Sequence, residues 1–484
     1  YVLKNNTLAF QFPSGYNKNY KLVIDPVLVF AAQSGSNADN WGMTATYDVA
    51  GNLYSGGIVF DNGYPTTTGA YLQNFVGIPN PNNPYQLNDI VISKYNSTGN
   101  SLLYSTYIGG TGYELISSMI VDHNNNLCFY GTTGSSNFPT TTGAYDITFN
   151  GGLNVNITDA LASFPLGTDI FIGKFNSTGT SLMACTYYGG TGNDGLNYIA
   201  ENQTIQDSLM FNYGDHNRGE IQVDLINNIY IASSSRSSNL PMVNSADNTL
   251  GGKQDAIVAK FNSNLSQLIY STFVGGTKND CGNALIVNNN FEVYITGGTS
   301  STNFPTVSGA YNLSYSGGKA DGFITHISAS GNSFLHSTLF GTSNYDQSYF
   351  IQSDKNNNIF VYGQSLGNMP VLASGTLSLY SNPGRHQFIT RFNSALSVLN
   401  LSTVFGSNLN DIDISPSAFS VDKCGNIYLS GWGGRIGTNQ TFLGNMPLLN
   451  ATQSSTDGHD FYLMGLSTNA SSLLYGSYFG GSLS

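Results

Sequence analysis

Apolar positions in this chain come in short runs bounded by Gly, Asn, Asp or Pro, and none approaches the ~20 residues of a membrane span. Runs such as Asp89-Ile-Val-Ile-Ser-Lys94, Asp169-Ile-Phe-Ile-Gly-Lys174 and Asp255-Ala-Ile-Val-Ala-Lys260 are apolar at consecutive positions. They predict strands covered on both faces rather than half-buried ones. Residues Val2 to Phe12 and Tyr20 to Ile24 alternate instead, and are read as the tail of a preceding β domain spanning 1–25.

The runs repeat. A hairpin signal, Asp-x-x-Gly/Asn-Asn-x-aromatic, begins at Asp48, Asp122, Asp224, Asn288, Asp354 and Asp422, on a period of roughly 65 residues with longer spacings in the first two copies. Its fourth position is Gly51, Asn125, Asn227, Asn357 or Gly425, residues that tolerate the positive φ of a tight turn, with Phe291 as the exception. The leading Asp is suited to accept backbone N–H groups two residues on. A calcium loop is the weaker reading of Asp122 to Asn126, which lacks the Gly and Glu of an EF-hand. A loop proline follows each hairpin (Pro65, Pro139, Pro241, Pro305, Pro370, Pro447), then an acid-to-base strand, then a strand ending in small residues such as Gly109-Gly110.

Each repeat therefore holds four strands: A before the Asp turn, B after it, C with the acid and base, and D ending in small residues. Four-stranded units repeated along a chain and stacked on their neighbours predict an all-β fold, a β-propeller. Six blades are visible, at about 42–110, 115–190, 218–276, 282–341, 347–406 and 416–481, within a propeller spanning 26–484. A spare D-like strand at 27–35 points to a seven-bladed parent; a closed ring of six is the alternative. An open ring exposes strand edges, which downstream residues or another chain would cover.

Composition narrows the function classes. The net charge is −12 and only 9% of residues are charged, against roughly 25% in an ordinary soluble domain. An acidic chain is unsuited to nucleic acid, and 13% aromatic content argues against disorder. The chain opens on Tyr1, as expected of a processed or excised fragment. Four cysteines are too few for a disulfide scaffold, and four free thiols are expected.

The strand ending Tyr-Ser-Thr-Tyr-Ile-Gly-Gly-Thr-Gly, the Val-Asp…Asn-x-Tyr hairpin, the loop Asn-Phe-Pro-Thr-Thr-Thr-Gly-Ala-Tyr and the strand Asp-x-x-Ile-x-Lys-Phe-Asn together resemble the SBBP-type β-propeller repeat over about 27–481. The opening Phe-Pro-Ser-Gly-Tyr and the late Asp-Lys-Cys-Gly-Asn-Ile-Tyr-Leu-Ser-Gly-Trp-Gly-Gly look like large secreted surface proteins of the Bacteroidota. That resemblance implies export by a type IX route to the outer face of a Gram-negative envelope, and no particular enzymatic activity.

The chemistry on offer is thin. The six histidines lack zinc-ligand spacing, no nucleophile elbow occurs, and no cofactor motif is found. An acid follows each D strand: Asp39, Glu114, Asp194, Asp280, Asp346 and Asp411. These would ring one mouth of the channel and could hold a cation, but acids bonding within their own turns is the favoured reading. The strand C bases Lys94, Lys174, Lys260 and Arg391 are expected to meet the hairpin Asp of their own blade. Insertions at 60–87, 146–167 and 195–217 carry Tyr64, Tyr71, Tyr85, Phe164, Phe211 and Tyr213 on the face of the B-to-C and D-to-A connections. There they offer a binding surface for a protein or polysaccharide, although aromatics that cap the blades are at least as good a reading. The leading expectation is a binding module active in adhesion or surface assembly. A glycan-active enzyme with paired carboxylates and a purely structural segment are the alternatives.

Overall fold

A computed structural model describes residues 2–4, 7–9, 30–77, 87–157, 162–197, 209–407, 411–433 and 443–481. Six antiparallel sheets follow one another along the chain, each with strands in the order A-B-C-D. The first blade is Asn40–Tyr47, Leu53–Val59, Asp89–Tyr95 and Leu102–Ile108. The second is Glu114–Val121, Leu127–Thr133, Asp169–Phe175 and Leu182–Tyr188. The third is Glu220–Val223, Ile229–Ser235, Asp255–Phe261 and Leu268–Val274. The fourth is Asp280–Val287, Val293–Thr299, Asp321–Ile327 and Phe334–Phe340. The fifth is Asp346–Ser353, Ile359–Ser365, Gln387–Phe392 and Leu399–Phe405. The sixth is Ser415–Val421, Ile427–Trp432, Phe461–Leu466 and Leu473–Phe479. The fold is the all-β propeller of four-stranded blades that the repeat predicts.

The A-to-B turns form for the reason the sequence suggests. Asp48, Asp122, Asp224, Asp354 and Asp422 each accept the backbone N–H groups two and four residues on. The fourth position has positive φ in all six hairpins, from 59° at Asn357 to 84° at Gly425. Phe291, the exception by residue type, still takes φ 64°. Turn geometry there overrides a side chain that pays for the left-handed region.

Blade packs on blade through faces that are apolar on both sides. Tyr130, Ile170 and Ile172 of the second blade share one core with Ile221, Ile229 and Ile231 of the third. Each such fully buried side chain contributes about 1.5–3 kcal/mol. Coverage is uneven around the ring. Strand A of the fourth blade is buried at seven of eight positions, whereas strand A of the first has no fully buried residue. In the sixth blade, strand B alternates buried and half-buried residues, and strand A exposes Ser417 and Ala418. The first and sixth blades are thus the less covered members.

The spare D strand is corrected. Residues 30–35 are irregular, without strand pairing, and 27–29 fall outside the described residues. Phe30 instead lies against the C-to-D turn of the first blade, close to Gly99. A D strand needs a strand C beside it, and none is described there. The tail at 1–25 is described only as a short antiparallel pair, Val2–Lys4 with Thr7–Ala9.

Candidate functional site

Four of the six post-D acids are fully buried: Glu114, Asp194, Asp280 and Asp346. Each serves its own D-to-A turn. Asp194 accepts Gly190 N–H at 2.8 Å and the hydroxyls of Ser235 and Ser237. Asp280 accepts Gly276 N–H and Ser301 Oγ–H, both at 2.8 Å. Asp346 accepts Thr342 N–H and its hydroxyl, and Glu114 accepts Thr133 and Ser135 hydroxyls. Two of the six expected positions are corrected. Asp39 is exposed, and Asn40 pairs with Val59 as Glu114 pairs with Thr133. In the sixth blade the connection is longer, so Asp413 rather than Asp411 is the buried acid, accepting N–H and Oγ–H of Ser407.

A second buried acid opens strand C in the first four blades, and it stands beside the post-D acid of the blade that follows. Asp89, Asp169, Asp255 and Asp321 accept N–H groups of their B-to-C loops. Gly275 shows how tight this is: a Cβ there would meet Asp255 Cγ at 2.6 Å and Asp280 Oδ2 at 2.8 Å. Burial pushes these carboxyls up, Asp89, Asp280 and Asp321 to about 7, Asp169 and Glu114 to about 8. Neighbouring carboxylates add to the rise, Asp89 on Glu114 and Asp194 on Asp169. No group of three or more His, Cys, Asp or Glu poised for a metal occurs among the described residues.

The strand C bases meet hairpin acids in three blades: Lys94 with Asp48 at 3.1 Å, Lys174 with Asp122 at 2.7 Å and Lys260 with Asp224 at 3.8 Å. In the fourth blade His326 takes the place, stacked on Tyr294 with centroids 3.8 Å apart and bonded to Glu292 at 3.2 Å and His336 at 3.0 Å. Arg391 of the fifth blade breaks the pattern: its fork goes to Asn469 and Ser374.

The densest polar constellation is one that residue patterns did not single out. Segment 209–219, from the third insertion, reaches strand A of the second, fifth and sixth blades. Asn217 bonds Ile116 O and Ser117 Oγ; Arg218 bonds Pro416 O at 2.8 Å and Ser415 Oγ at 3.3 Å. Leu209 packs with Cys281 and Ala320 of the fourth blade's region and Tyr345 of the fifth. One segment can touch so many A strands only where they converge, so it fills the axial channel.

At its centre Asp215 is fully buried. It accepts N–H from Phe211 and Asn212, the Tyr349 hydroxyl at 3.0 Å and Arg218 Nε–H at 3.1 Å. The Arg218 guanidinium also lies 4.8 Å above the Tyr349 ring. Gln364 donates to both Tyr345 and Tyr349 hydroxyls. Burial, with Asp215 nearby, holds both tyrosines far above the usual phenol value, so they stay protonated. Burial, then the Arg218 charge, pushes His216 down to about 4, so it stays neutral. The residue types would suit acid–base chemistry, but Asp215, Arg218 and the two hydroxyls are satisfied by one another. A sequence signal did exist: Asp215-His216-Asn217-Arg218 is a polar, charged cluster outside every repeat register.

The aromatic insertion residues turn toward the blades. Phe164 is fully buried against Tyr113, which removes it from any binding surface. Tyr64 bonds Ser93 and Tyr107, Tyr71 packs on Phe175, Phe211 stacks on Tyr345 at 4.5 Å and Tyr213 meets Trp432 edge-on. Tyr85 lies outside the described residues. The large hydrophobic side chains that the second insertion exposes are aliphatic: Ile147, Leu153 and Leu166, at 66%, 72% and 61% exposure. Leu153 and Leu166 are neighbours, because Gly152 N–H bonds Leu166 O. A small hairpin, Val155–Ile157 with Ala162–Phe164, braces the segment.

No protein-family model matches this chain, and no curated protein is significantly similar in sequence. Solved structures align over most of its length. A protein of unknown function from Dyadobacter fermentans gives a TM-score of 0.39 at 11% identity, covering 83% of this chain and 92% of its own. A polysaccharide lyase described as an ulvan lyase gives 0.43 at 8%, covering 93% and 86%. The β-propeller domain of a trilobed protease from Pyrococcus furiosus, described as having an open velcro topology, gives 0.33 at 8%, covering 92% and 95%. All three fall below a TM-score of 0.5, and the six-bladed architecture rests on this chain's own strand pairing.

Proposed function

We propose that this chain is a non-catalytic binding module of a secreted or cell-surface protein, with a protein partner docking on the face of the long connections. The carrying observation is the inversion of the second insertion: Phe164 is buried and Phe149 packs on Tyr187, while Ile147, Leu153 and Leu166 face solvent. Sugar recognition favours exposed aromatic faces, whereas a braced aliphatic patch suits a protein surface. Loops held on a rigid scaffold are where recognition resides. The resemblance to the SBBP-type repeat supports a surface location. The plugged axis and the turn-bound acids favour binding over the glycan-active alternative, which needs two carboxylates in one open pocket.

The test is affinity capture from envelope and culture-medium fractions, run beside the Leu153→Asp, Leu166→Asp double variant. A specific protein retained by the parent and lost with the variant is the expected result. Depolymerisation of an added polysaccharide by the purified chain would overturn the non-catalytic reading.

A further inference from the structure

We propose that the seam between the fifth and sixth blades, on the face opposite the long connections, binds an oxyanion. A cleft of about 290 Å3 opens there. It is floored by Phe360 and Arg391 of the fifth blade and rimmed by Lys355, Lys423, Thr468 and Asn469. That volume sits at the lower end of small-molecule sites, enough for one small polar molecule.

Three observations converge. The first is broken symmetry. In blades one to three the strand C base is neutralised by its own hairpin acid, at 2.7–3.8 Å. In the fifth blade that acid, Asp354, also lines the cleft, yet its oxygens take Asn356 N–H, Asn358 N–H and Asn358 Nδ2–H, and Arg391 points elsewhere. The hydroxyl that Tyr54, Tyr230 and Tyr428 give to their hairpin acids is missing too, since Phe360 fills that slot. The second is an unmet donor. Arg391 is 9% exposed, its Nη1 and Nη2 bond Asn469 and Ser374, and its buried Nε–H has no partner among the described residues. A buried guanidinium with an unmet donor is costly, and an oxyanion in the cleft adds counter-charge to that of Asp354. The third is charge density. The chain carries 16 Lys and Arg in 484 residues at a net charge of −12, yet Lys355, Arg391 and Lys423 converge here against one carboxylate.

A reporter is built in. Cys424 lines the cleft and is exposed, whereas Cys128, Cys185 and Cys281 are buried. Alkylation of Cys424 in the folded protein by iodoacetamide, a neutral reagent, would be timed at constant ionic strength while chloride is replaced by inorganic sulfate, inorganic phosphate or glucose 6-sulfate. Saturable protection is expected, slowing the reaction about threefold at twice the dissociation constant. Protection by the inorganic ions identifies a free oxyanion as ligand, and protection by the sugar ester alone identifies one carried on a saccharide. Arg391→Gln should abolish it. Since that buried change can harm folding, Lys355→Ala with Lys423→Ala, both at exposed turn tips, serves as the second variant and should weaken protection tenfold or more. Equal alkylation rates in chloride and in all three oxyanions, or protection unchanged in the double lysine variant, would overturn the proposal.

Discussion

At the scale of single residues, the hairpin Asp does more than shape its turn. Asp224 is 3% exposed, accepts from Ile226, Asn228 and Tyr230, and pairs with the Lys260 ammonium 3.8 Å away. Asp224→Ala leaves the Lys260 ammonium buried beside two aromatic rings with no counter-charge. The expected loss is about 3–5 kcal/mol, since removing one partner strands the other. Denaturant titration would measure it, and Asp224→Asn, which keeps part of the bonding, should lose less. These roles were legible in the sequence because they recur: Asp, Gly or Asn, and Lys fall at fixed offsets in blade after blade. The shift from Asp411 to Asp413 was not legible, because a longer loop moves the register while leaving an acid at both positions. Nor was Arg391's departure, since an Arg at a Lys position reads as conservative until its fork finds other partners.

Among elements, strands and connections differ in how much local pattern decides. Blade strands are set by apolar runs and turn residues close in sequence, so their order could be read directly. In the insertions the residue pattern leaves two readings, aromatics that cap the blades and aromatics that meet a partner, and the structure favours the first: Phe164 and Phe211 have partners more than 50 residues away in sequence. Only tertiary packing decides which way such a ring faces. Segment 209–219 makes the same point for polar groups, and its network invites a direct test. Tyr349→Phe removes the hydroxyl that bonds Asp215, the Tyr345 hydroxyl, Gln364 and Asn212. A loss of about 1.5–3 kcal/mol is expected, as for a hydrogen bond to a charged group. An unfolding free energy within a few tenths of a kcal/mol of the parent's would show that the network tolerates a gap.

For the whole molecule, the buried acids make stability depend on pH in an unusual direction. Burial raises Asp194, Asp255 and Asp346 to about 6, Asp89, Asp280 and Asp321 to about 7, and Glu114 and Asp169 to about 8. A folded-state value above the unfolded one gives stability that is full below about pH 4 and lost as pH rises through 6–8. Asp48 and Asp122 oppose this. Burial acts to raise them, but hydrogen bonds and the facing lysines prevail and lower both, so their contribution fades as pH falls through the acid range. Greatest stability is therefore expected in mildly acidic solution, between the two effects. Urea titrations across pH 4–9 should show the unfolding free energy falling toward alkaline pH. A maximum near pH 8 would contradict this account of the buried carboxyls.

The axial segment has a kinetic consequence. Successive blades are a chain of neighbours, and such arrays unfold piecemeal, with stability summed over units and their interfaces. Arg218 bonds Pro416, 198 residues further on, and so ties the second and third blades to the sixth across the ring. That contact closes a loop of 198 residues, which makes it slow to form beside the local pairings within each blade. It converts a linear array into a cooperative unit. Cutting the tie with Arg218→Ala should therefore broaden the unfolding transition and separate the melting of early and late blades, not merely lower its midpoint.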